Sequence, residues 1–197
     1  DLIKLKYTSF RKKVLGIHFK SINGKSDLKY YKTALKQINL TLPEKDKEIY
    51  SLLASGSVGN SILLLKHDGA NLYRSILSFL NGLPNIKGFE LEKFVSTFEG
   101  IKNRERLEVL IELLNIAIAR ISKSGILGTN FTNQALMDEN DIFQKLCPNP
   151  IFAKKWAELA QAQSKNLSLG LSVNLDPGSL ILDTFFRIED CAKTIRQ

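Results

Sequence analysis

Leu15, Ile17 and Phe19 alternate with smaller or polar neighbours over residues 14–19, the period-two pattern of a half-buried strand. Every later apolar pattern has helical spacing. Asn23-Gly24-Lys25-Ser26 reads as a turn, with Ser26 placed to cap a helix carrying Leu28, Tyr31, Leu35 and Ile38 on one stripe. Pro43 suits the first turn of a second helix with Ile49, Leu52 and Leu53, and the corner at Gly56 leads into a third with Val58, Ile62 and Leu65. Beyond a polar break at Lys66-His67-Asp68-Gly69 the spacing predicts longer helices over 70–80, 89–98, 104–121, 138–146 and 152–166. A last one starts near Pro177 and buries Leu180, Ile181, Thr184, Phe185 and Ile188. The stripe over 104–121 is broad, with Ile111 and Ile118 beside Leu107, Leu110, Leu114, Ala117 and Ile121, which predicts burial from more than one direction. Residues 122–133, rich in Gly, Ser, Thr and Asn, read as a loop. The fold class is therefore mainly α, with one strand near the start.

The joints carry local chemistry of their own. In Leu53-Ala54-Ser55-Gly56-Ser57-Val58-Gly59-Asn60, Gly56 can take positive φ at a helix end, Ser57 can accept from the next helix's unpaired N–H groups, and Gly59 allows close backbone approach. In Asn174-Leu175-Asp176-Pro177, Asp176 is placed to cap the final helix, Pro177 to occupy its first position, and Asn174 to bond the backbone before the turn.

With 197 residues, 44% of them hydrophobic, the chain can bury a sizeable core. It has no apolar run long enough for a membrane span and no signal-peptide layout, so the expectation is a cytoplasmic piece of something longer, without membrane contact. Cys147 and Cys191 are expected as reduced packing residues, and His18 and His67 lack neighbours at metal-ligand spacing. Most of the net charge of +8 lies early: residues 1–50 hold 12 Lys/Arg against 5 Asp/Glu. Such an excess fits a nucleic-acid or acidic-protein contact, or a solvated lysine-rich face.

No catalytic constellation emerges. Gly24-Lys25-Ser26 resembles the end of a phosphate-cradling loop, but the required first glycine falls on Phe19. No nucleophile elbow organises the serines, and acids such as Glu90 and Glu92, or Asp138, Glu139 and Asp141, read as first-turn residues facing a helix macrodipole. No cofactor or metal is expected.

The 53–60 corner, the helix from Leu72-Tyr73 to Leu83-Pro84, and the pattern from Trp156 to Asn174-Leu175-Asp176-Pro177 together resemble the δ′ subunit of the bacterial DNA polymerase III clamp loader. The resemblance is best over 53–84 and 156–190, while 86–150 match mainly in helical character. It implies the edge of a AAA+ core over 1–22, a three-helix lid over 23–68 and an all-helical collar over 69–197. It also implies a non-catalytic subunit of the polymerase holoenzyme. Its collar would contact the τ/γ and δ subunits, and the assembled complex would load the sliding clamp onto primed DNA. Clamp-loader ATPases place a nucleotide-touching arginine after the Gly-Ser corner, whereas Val58-Gly59-Asn60 offers no cation. The family's arginine-finger motif aligns with Lys12-Lys13-Val14, so Lys13, with Arg11 nearby, would stand where the finger stands; a lysine offers a point charge in place of a planar fork. The same three cations also read as a solvated approach to a strand. Two other functions remain open: a τ/γ-like ATPase fragment whose nucleotide loop lies upstream, and a stand-alone helical DNA-binding module.

Overall fold

A computed structural model of the chain describes residues 46–54, 57–100, 103–128, 131, 134–173 and 175–194. The strand expected over 14–19, the helix expected after Ser26, and Arg11, Lys13, Gly56 and Asn174 lie outside the described residues. The described chain is mainly helical, with α1 Lys47–Leu53, α2 Val58–Lys66, α3 Gly69–Asn81, α4 Gly88–Ser96, α5 Arg104–Leu127, α6 Glu139–Leu146, α7 Pro150–Ser172 and α8 Pro177–Lys193. Among the described residues no helix is long and apolar enough to cross a membrane. Two compact units divide between Lys66 and His67.

In the first unit α1 packs on α2. Ile49, Tyr50 and Leu53 are buried on α1, and Ile62 and Leu64 on α2. Leu64 thus takes the inward place that the pattern assigned to Leu65, which is half-buried. Ser57 starts α2 as its chemistry suggests: its Oγ accepts from the Asn60 N–H at 3.3 Å and its carbonyl from the Ser61 N–H at 3.1 Å.

The second unit is built around α5, which packs against α7 along most of its length and against α3 and α6 elsewhere; α8 covers α7 and α4. The Ser122 hydroxyl of α5 donates to the Ala153 carbonyl at the start of α7, while Leu107 and Leu171, from the opposite ends, line one cleft. The two long helices therefore run antiparallel. Neighbours on several sides account for the broad apolar stripe of α5. Phe79, Phe94, Phe98 and Phe185 join α3, α4 and α8 in one aromatic cluster, with successive ring centroids 5.2–5.3 Å apart.

The polar break is shorter than its composition suggests. Only His67 and Asp68 turn, and Gly69 is already the buried first residue of α3. Asp68 adopts the left-handed region at φ 55°, with its carboxylate accepting from Asn71 Nδ2 at 2.8 Å, a local bond of the kind that makes Asp tolerant of this conformation.

Residues 122–127, read from composition as loop, are helical. Ser124 satisfies its buried hydroxyl on the Ile121 carbonyl at 2.8 Å, and Gly125 lets α5 press against the corner before α7. A Cβ on Gly125 would stand 2.2 Å from Cys147 Sγ and 3.2 Å from the carbonyl oxygens of Cys147 and Asn149. Gly125→Ala should therefore lower stability by about 1–3 kcal/mol through overpacking, despite alanine's better helix propensity. Urea denaturation measures this, and adding Cys147→Ala should recover part of the loss. An unchanged midpoint in the single variant would mean that the corner yields freely.

Helix α7 also extends past the expected 152–166, because Asn149 and Pro150 define an earlier start. Asn149 Oδ1 accepts from the N–H groups of Ile151 and Phe152 at 3.0 and 3.3 Å, and Pro150 occupies the first turn. At its far end Gly170 permits close contact with α8, since a Cβ there would lie 2.7 Å from Leu180 Cδ1.

Candidate functional site

The end of α7 and the start of α8 hold the described residues of the Asn174–Pro177 pattern. Helix α7 closes on Val173, whose N–H donates to the Leu169 carbonyl at 3.1 Å, and the Leu175 N–H donates to the Gly170 carbonyl at 3.0 Å. Asp176 Oδ2 then accepts from the Ser179 N–H at 2.8 Å, and Pro177 is the first residue of α8. These bonds hold the Asp176 carboxyl below the usual carboxylate range, with the Ser179 backbone N–H the chief cause and the Ser179 side chain adding to it.

The sign of the resulting pH dependence follows directly. A carboxyl whose pKa is lower in the folded chain stabilises it above the unfolded value, near about 3.9, and this contribution disappears as pH falls through the folded value. Asp176→Ala should accordingly lower the thermal midpoint slightly at pH 7, with the gap from wild type narrowing as pH falls through the lowered folded-state value. Circular dichroism melts across this range test it; a gap independent of pH would point to lost packing in place of a lost charged cap.

Beside the cap lies an apolar cleft of about 270 Å³ lined by Phe98, Arg104, Leu107, Leu171, Leu175 and Pro177. Leu169, Val173 and Leu175 are 62%, 57% and 56% exposed, which puts three large apolar side chains in solvent within seven residues. The Arg106 guanidinium stacks over Phe98 at 4.9 Å, and Arg104 lies 3.6 Å from Glu108 Oε1. The described lining of this surface is mostly apolar. It offers shape and apolar area, the properties of a surface that takes another protein's side chains.

A second constellation was not legible in the sequence. Glu139, grouped by pattern with Asp138 and Asp141 as a first-turn acid facing the helix macrodipole, is completely buried. Arg120 of α5 meets it with Nε on Oε1 and Nη2 on Oε2, both at 2.8 Å, in a bidentate pair. Tyr73 of α3 donates its hydroxyl to Glu139 Oε1, and the Ala135 N–H donates to Oε2. Arg120 also lies over the Phe131 ring, 5.2 Å from its centroid. Burial, with the Glu139 charge beside it, pushes the Tyr73 phenol far above its ordinary range. Each carboxylate oxygen has two partners, and the group braces α3, α5, α6 and the segment before α6. The one available signal was an arginine set among the apolar residues of α5.

Cys147 and Cys191 are free thiols, each pushed up to about 11 chiefly by burial. Among the described residues no group of three His, Cys, Asp or Glu side chains is arranged to hold a metal ion. Comparison with protein-family models, curated proteins and solved structures gives no match.

Proposed function

We propose that the chain is the lid and collar of a non-catalytic, δ′-type clamp-loader subunit, which helps a ring of ATPases place the sliding clamp on primed DNA. The observation that carries this reading is the start of α2. Ser57 caps the helix and Val58-Gly59-Asn60 follow, so the place where the family's ATPase subunits carry an arginine for the nucleotide holds no cation. The helical second unit supports it further, with an exposed apolar rim at Leu169, Val173 and Leu175 suited to contacts between collars. On this reading the chain acts by assembly and leverage, τ/γ and δ subunits are its partners through the collar, and Lys13 with Arg11 would approach a neighbour's nucleotide.

The test is reconstitution of the chain with cognate τ/γ and δ subunits, followed by size-exclusion chromatography and titration. A stoichiometric complex is expected, with no saturable binding of a fluorescent ATP analogue by the chain alone. Leu175→Asp should weaken assembly tenfold or more, about 1.4 kcal/mol, because it places a charge in an apolar contact. Its exposed position should leave the circular dichroism melt close to wild type. Failure to assemble, combined with salt-dependent binding to duplex DNA, would favour the DNA-binding module, and saturable nucleotide binding would favour the ATPase fragment.

A further inference from the structure

We draw no further inference here: the strongest candidate, the apolar cleft between the start of α5 and the α7–α8 junction, lined by Phe98, Leu107, Leu171, Leu175 and Pro177, belongs to the assembly surface already described, and nothing in the structure shows what else covers it.

Discussion

Glu139→Ala is expected to cost the second unit about 3–5 kcal/mol, the usual penalty for removing one member of a buried ion pair. The loss goes well beyond one contact. With the carboxylate gone, the Arg120 guanidinium keeps its charge while its side chain is only 12% exposed, and the Tyr73 hydroxyl and Ala135 N–H lose their acceptors. Urea denaturation followed by far-ultraviolet circular dichroism gives the number. Tyr73→Phe should cost less, about 1.5–3 kcal/mol, since it deletes one hydrogen bond to a charged group and leaves no charge unpaired. Replacing both charges, Arg120→Met with Glu139→Leu, should be milder than Glu139→Ala, because two desolvated ions leave together, although the Tyr73 hydroxyl and Ala135 N–H still lose their acceptor. If Glu139→Ala shifts stability by less than about 1 kcal/mol, the pair is solvated and the bracing role fails.

Trp156→Ala should cost about 3–5 kcal/mol. Trp156 is completely buried on α7, and its indole N–H donates to the Leu146 carbonyl at the end of α6 at 2.9 Å. Truncation would leave a large cavity beside α6 and deprive a helix-end carbonyl of its donor. Trp156→Phe should retain much of the packing and lose chiefly the hydrogen bond, for about 0.5–1.5 kcal/mol plus a smaller void. Because the chain has a single tryptophan, intrinsic fluorescence reports this site alone in the wild type, while circular dichroism follows the variants. An alanine variant as stable as wild type would place the indole outside the core.

Within the described residues, helix existence, the main inward stripes and two of the caps were legible along the chain, while the Asn149 cap of α7 was not. The inward set of α8, Leu180, Ile181, Thr184, Phe185 and Ile188, is buried as its spacing predicts. Ser57 and Asp176 each accept from a backbone N–H three residues ahead. Such features depend on neighbours within one or two turns, so residue type and spacing are enough to specify them.

The length of α5 and the fate of Glu139 depended on residues far away in sequence. Ser122, Ser124 and Gly125 carry the composition of a loop, yet they continue the helix because Ala153 accepts from Ser122 and the Cys147 corner packs where a Cβ on Gly125 would stand. Glu139 is indistinguishable along the chain from Asp138 and Asp141, both of which remain exposed. Its burial was decided by Arg120 and Tyr73, which lie 19 and 66 positions away and converge on it once α3, α5 and α6 are packed. A local pattern records which face of a helix turns inward, but a buried charge is stable only where distant groups supply compensating charge and hydrogen bonds, and tertiary packing alone brings those groups together.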